Sequence, residues 1–152
     1  MPLGLAMASI GMLGSSAIAL GVSQSSLDLC LKYGKERLIG GQPLGKYQGV
    51  QFAVSEISVA VEAMRSLLYW AATTQQNAGP GIPIPAFKAK LFTTETALHV
   101  IDKALQVHGG TGYTKEIPLE RYYRDVRGLT LHFSPSEPLK ETMGKVLMGL
   151  WP

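Results

Sequence analysis

The chain has 152 residues, of which 46% are hydrophobic and only 16% charged, enough for one domain with a real core and apolar for a domain this small. Its net charge is +3, but the basic residues are interleaved with acids, which argues against a nucleic-acid groove and leaves room only for a local anion site. The single cysteine, Cys30, excludes an intrachain disulfide and any zinc site built from cysteine pairs, so no metal site is read and a reducing, cytoplasmic setting fits. The apolar surplus suggests surface covered by partner chains or by further domains.

Helical spacing of Ile10, Leu13, Ala17, Leu20, Leu27 and Leu31 predicts a first helix from about Leu5 to Arg37. Residues 1–27 carry no charge and are long enough to cross a membrane. Ser9, Ser15, Ser16, Ser23, Ser25 and Ser26 dilute the stretch and no basic flank precedes it, so it reads as a buried helix of a soluble bundle. Its glycines and alanines, spaced three and four apart, suit close helix packing. Cys30 on this helix reads as an inert buried thiol. A domain that opens inside an apolar helix looks like part of a longer polypeptide.

The Gly40-Gly41-Gln42-Pro43-Leu44-Gly45 segment stops the helix and forms a loop. A second helix is expected from Gln48 to Asn77, with Phe52, Ile57, Val61, Met64, Leu68 and Ala72 on one face. Residues 78–83 break the chain, and a third helix follows from Pro85 to His108, with proline suited to its first turn. Shorter helices are expected around Pro118–Arg127 and Ser136–Leu150. Leu129–Phe133 is the only strand-like run, and one strand cannot pair alone. Long helices joined by short loops predict an all-α, antiparallel four-helix bundle whose fourth member comes from the C-terminal segments.

Four stretches carry a resemblance: "KERLIGG" ending at Gly41, "YQGVQF" around Gln48, "QVHGGTGY" from Gln106 to Tyr113, and "ERYYRD" from Glu120 to Asp125. Together they resemble the C-terminal helical domain of the acyl-CoA dehydrogenases, FAD-dependent flavoproteins, over nearly the whole chain. The resemblance implies an N-terminal helical domain and a central β-domain that do not fit within these residues. It also implies a homo-oligomer (dimer or tetramer), an acyl-CoA substrate and an electron-transfer flavoprotein as electron acceptor, with no nucleic-acid or membrane partner.

By that resemblance Arg37 reaches the FAD pyrophosphate of a neighbouring subunit, a task suited to a guanidinium's planar fork. At the end of a helix the same cation also favours the helix dipole. The family's phenylalanine three residues on is Gly40 here. Gln48 matches a position that hydrogen-bonds the flavin nucleotide, and could equally be an ordinary helix-start residue. Gln106, Gly109 and Gly110 match the turn that lies against the adenosine part of FAD. Tyr113 reads as packing and His108 as a satisfied C-terminal histidine. Glu120, Arg121, Arg124 and Asp125 read as a local ion-pair network.

The departures concern the chemistry. The family's catalytic glutamate falls on Phe133, which has no proton acceptor. The alternative position on the first helix falls on Gly11, and an arginine that typically follows it is Met12. Glu137 is the nearest surviving carboxylate, though an acid at a helix N-terminus has an adequate structural explanation. The resulting expectation is one side of an FAD site on a domain that does not turn over substrate alone. The competing reading is a helical assembly module that kept the fold and lost the chemistry.

Overall fold

The computed structural model describes residues 3–77 and 81–151. Six helices account for most of it: α1 (Leu3–Glu36), α2 (Gln48–Asn77), α3 (Ile84–His108), α4 (Gly110–Tyr113), α5 (Leu119–Leu129) and α6 (Ser136–Leu147). Helices α1, α2 and α3 pack against one another, consecutive helices running antiparallel and α1 parallel to α3, and α5 closes the bundle against α3 and α1. Helix α6 covers the N-terminal half of α3. Residues 78–80 of the expected break lie outside the described residues.

Helix α3 is the central column. Ala86, Ala89, Lys90, Thr93, Thr94, Ala97, Val100, Ile101, Ala104 and His108 are all buried, on more than one side of the helix. Most are small, so several helices can approach it closely. Ile57, Val61 and Met64 of α2, Ala19, Leu20, Leu27 and Cys30 of α1, and Leu119 and Val126 of α5 complete the main core. A second cluster joins Met12 of α1, Ala86 and Phe87 of α3, and Leu139 of α6.

The buried face of α1 differs from the one its aliphatic spacing suggests. Ser9, Met12, Ser15, Ser16, Ala19, Leu20, Ser23, Ser26, Leu27 and Cys30 point inward, whereas Ile10, Ile18 and Leu31 are exposed and so is Ala17. Size decides the matter: hydroxyl side chains fit a close approach where leucines would not. Most of these hydroxyls are satisfied locally, Ser15 on Gly11 O at 3.0 Å, Ser16 on Met12 O at 2.9 Å and Ser26 on Val22 O at 2.9 Å, while the buried Ser23 hydroxyl has no partner among the described residues. Of its glycines, Gly11 and Gly34 supply close contacts, to Phe133 and Gly45, whereas a Cβ added at Gly4, Gly14 or Gly21 would meet nothing within 4 Å. Helix α1 is long and apolar enough to cross a bilayer by length and composition, and here it is a bundle member. On α2 the expected face holds at Ile57, Val61 and Met64, while Phe52 is exposed.

Two short strands that the sequence reading treated as loop form a hairpin: β1 (Leu38–Ile39) pairs antiparallel with β2 (Gln42–Pro43). Gly40 and Gly41 between them have φ of +59° and +81°, the geometry a two-residue hairpin turn demands and glycine supplies without strain. A 3-10 turn (Leu44–Lys46) leads into α2. Leu129 ends α5, and the segment after it is irregular, not a strand.

One ion pair ties α6 to α3, from Lys140 Nζ to Glu95 Oε1 at 3.0 Å. Burial alone would raise the Glu95 carboxyl, but hydrogen bonds with Lys140 and Ser136, and the charges of Lys140 and Lys90, hold it below the usual value. A carboxylate with a depressed folded-state pKa stabilises the fold above its ordinary pKa and loses that contribution as pH falls through the folded value. Because both partners are partly solvated, the contribution is at most about 1 kcal/mol. Glu95→Gln should therefore cost about that much at neutral pH and progressively less as pH falls below the ordinary glutamate value, as read from urea unfolding across that range.

Candidate functional site

The sequence-predicted cofactor residues gather at one end of the bundle. Arg37 directly follows α1, Gln48 is the first residue of α2, and Gln106, Gly109 and Gly110 lie at the end of α3. The hairpin and 3-10 turn hold the first two together: Gln51 Nε2 donates to Gly45 O at 2.9 Å, and a Cβ on Gly45 would come within 3.1 Å of Gly34 O. His108 ties α3 to α1. Its buried ring stacks on Tyr33 with centroids 4.4 Å apart, and its Nδ1 donates to Ala104 O at 2.8 Å. The expectation of a satisfied histidine holds.

Arg37, Gln48, Gln106, Gly109 and Gly110 are all exposed, and among the described residues the Arg37 guanidinium has no ion pair or hydrogen-bond partner. An unpaired guanidinium at the same end of the bundle as an exposed glycine turn is chemically able to hold a phosphate group. Gly109 has φ of +58° and gives its N–H to Gln106 O at 3.2 Å, so its amide is used inside the turn. Gly110 starts α4 at the turn's surface. Gly112 is needed for packing, because a Cβ there would lie 2.8 Å from Leu105 O. Tyr113 is 87% exposed and does not pack within the chain, contrary to the sequence reading. Gly40, where the resemblance has phenylalanine, takes part in the hairpin turn.

The charged helix α5 makes less of a network than its spacing suggests. Arg124 pairs with Glu120 at 3.0 Å. Arg121 instead lies over the Tyr122 ring, and among the described residues Asp125 has no ion-pair partner.

The two positions examined for a proton acceptor meet in space. Gly11 and Phe133 line a cavity of about 470 Å³ between α1 and the end of α5, with Gly14, Ile18, Asp125 and His132. A Cβ on Gly11 would fall 2.3 Å from Phe133 Cε1, so the ring occupies the space a side chain there would need. Phe133 has φ of +60°, and Ser134 N donates to His132 O at 2.8 Å, closing a tight three-residue turn. Such a backbone costs on the order of 1–3 kcal/mol for a residue with a side chain. Glu137 is exposed in the first turn of α6 and does not line the cavity; Met12 is buried in the core.

Lys90 escaped the sequence reading. It is fully buried, and its Nζ donates to Thr130 O at 3.0 Å and Ser134 O at 2.7 Å, gripping the segment before and after Phe133. Burial lowers its pKa, an effect that the charges of Glu95 and Glu137 oppose. The available signal was a lysine on the same stripe as Ala86, Thr94 and Ala97. A second groove, of about 510 Å³, runs between α1, the hairpin and α2 beside Cys30, but neither Arg37 nor Gln48 lines it. The Cys30 thiol is fully buried and its pKa is pushed up to about 12 by burial, which suits an inert thiol.

Comparison with known proteins decides what this arrangement belongs to. The profile described as "Acyl-CoA dehydrogenase, C-terminal domain" matches residues 6–148. The chain belongs to the acyl-CoA dehydrogenase family. It is 39% identical over 128 residues to the mitochondrial short-chain specific acyl-CoA dehydrogenase of Rattus norvegicus, covering 84% of this chain and 31% of that protein. It is 37% identical over 129 residues to the 3-(aryl)acrylate reductase of Clostridium sporogenes, covering 85% of this chain and 34% of the relative. The butyryl-CoA dehydrogenase structure from Megasphaera elsdenii superposes with a TM-score of 0.89 at 30% identity, over 95% of this chain and 38% of that one. The chain thus spans about a third of the length of these acyl-CoA dehydrogenase relatives, and its bundle is the family's C-terminal helical fold.

The stack between α1 and α3 is directly testable. A double-mutant cycle with Tyr33→Leu and His108→Leu, followed by urea unfolding, should give a coupling of about 0.5–1.5 kcal/mol. Additive effects would mean that this stack does not join the two helix ends.

Proposed function

We propose that residues 1–152 act as the C-terminal domain of an FAD-dependent acyl-CoA dehydrogenase-like oxidoreductase. The domain supplies oligomer contacts and one edge of the FAD site. The observation that carries this reading is the gathering of Arg37, Gln48, Gln106 and Gly110 at one end of the bundle, exposed and with the guanidinium unpartnered.

These residues fit the dinucleotide part of FAD. Arg37 would hold pyrophosphate oxygens with its two-pronged donor set, Gln48 would hydrogen-bond the nucleotide, and the Gly109-Gly110 turn would let the adenosine side approach the backbone. FAD, when bound, supplies the hydride acceptor for α,β-dehydrogenation of an acyl-CoA thioester. The cavity at Gly11 and Phe133 lies at the far end: Gly11 and Tyr33 are separated by roughly 33 Å along α1, at 1.5 Å per residue. One extended dinucleotide does not reach both, so the two ends serve separate sites in an assembly, a dimer or tetramer. The remaining family domains and an electron-transfer flavoprotein complete this reading, and this chain alone is not expected to turn over substrate.

The second reading is a helical assembly module without chemistry, and a specific observation favours it. The Phe133 ring sits against Gly11, and neither residue can accept a proton. An oxidoreductase of other flavin chemistry stands between the two readings, in keeping with a family whose relatives here bear the names dehydrogenase and reductase.

Mixing this chain with the family's remaining domains and FAD separates these readings. The proposed function expects flavin absorbance to co-purify with the protein and to bleach on addition of an acyl-CoA thioester. Flavin that binds but never bleaches would leave the assembly or other-chemistry reading in place. In the same preparation, Arg37→Ala should weaken FAD binding by about 1.5–3 kcal/mol, measured by equilibrium release of the flavin. Unchanged affinity would remove Arg37 from the site.

A further inference from the structure

Building on the acyl-thioester reading, we propose that Phe133 sets the width of the cavity between α1 and α5, and that Lys90 is the positioning residue that holds it there. With Phe133 in place the cavity takes a slender, unbranched acyl group and turns away one branched beside the thioester.

Three observations converge on this. The first is the seat of the ring. It occupies the volume above Gly11, 2.3 Å from where a Cβ would stand, and a Cβ added at neighbouring Gly14 would meet nothing within 4 Å. The ring therefore lies against Gly11 and forms one wall of the cavity, with open space left over Gly14. It is 54% exposed, which leaves surface for a ligand to meet.

The second is the turn. Phe133 is driven toward α1 by a left-handed backbone, with φ of +60° and the Ser134 N–H bonded to His132 O. Glycine would adopt this conformation without strain, so the large side chain is kept at a conformational cost.

The third is the clamp. A methionine could fill the Lys90 site equally well by volume, without the penalty of burying an ammonium. What lysine adds is two directed hydrogen bonds, to Thr130 O and Ser134 O, on either side of Phe133. Those bonds fix both ends of the turn against α3. They hold the backbone that carries the ring beside Gly11.

The test uses the flavin-loaded protein and its variants Phe133→Ala, Phe133→Leu and Lys90→Met, each checked for native helical circular dichroism. Butyryl-CoA and isobutyryl-CoA are titrated against the flavin absorbance. Phe133→Ala should improve binding of the branched thioester relative to the straight one by about tenfold, the scale of a methylene in an apolar pocket. Phe133→Leu should fall between Phe133→Ala and wild type, and Lys90→Met should move the ratio in the same direction. A purely structural lysine would lower the melting temperature and leave that ratio alone, and an unchanged ratio in Phe133→Ala overturns the proposal.

Thermal melting of Gly11→Ala, alone and with Phe133→Ala, tests the ring's seat without any thioester. Alanine at position 11 should destabilise the wild type and be tolerated once the ring is gone. An equal cost in both backgrounds also overturns the proposal. Failure of either thioester to perturb bound flavin would defeat the underlying functional reading, and the melting comparison would still decide where the ring sits.

Discussion

The structure depends on how closely α3 can be approached. Its inward residues are mostly alanine and threonine, with Val100 and Ile101 the principal larger aliphatics in the middle. Small side chains let α1, α2 and α5 press on it together, and dispersion contacts accumulate only at such separations. The same demand explains why α1 turns serines inward and leaves aliphatic residues outside. A hydroxyl that bonds its own helix carbonyl is a compact, satisfied group, and here compactness outranks hydrophobicity.

Helix α3 also connects the two ends of the bundle that carry the candidate residues. Lys90 near its start organises the turn that bears Phe133, and His108 at its end ties the glycine turn to α1. They are roughly 27 Å apart along the helix. Each is buried, and each donates to backbone carbonyls. One rigid rod therefore fixes both the turn at Phe133 and the glycine turn at Gly109.

The helices were legible because their lengths and breaks are written in local composition: Pro85 at the start of α3, Gly109 after it, and the glycine pair after α1. The clustering of Arg37, Gln48, Gln106 and Gly110 at one end of the bundle was legible because each lies in a short contiguous motif at a helix end. The hairpin was missed although Gly40-Gly41 between Leu38-Ile39 and Gln42-Pro43 fits a two-residue turn. The inward face of α1 was misjudged because Ile10 and Leu31 carry the stronger hydrophobic signal while Ser15, Ser16 and Ser23 carry the packing. The clamp on Phe133 was out of reach for a different reason: Lys90 meets carbonyls 40 and 44 residues away, and backbone acceptors leave no mark in side-chain spacing.

Positions 11 and 133 compete for a single volume, which constrains how this pair can change over generations. A bulky residue fits at one of them only while the other stays small. Any lineage that exchanges the two must pass through an ancestor with little at either place, or tolerate a clash on the way. Substitutions at these two sites should thus be correlated and ordered in time, a historical dependency imposed by the meeting of one aromatic ring with one bare stretch of helix.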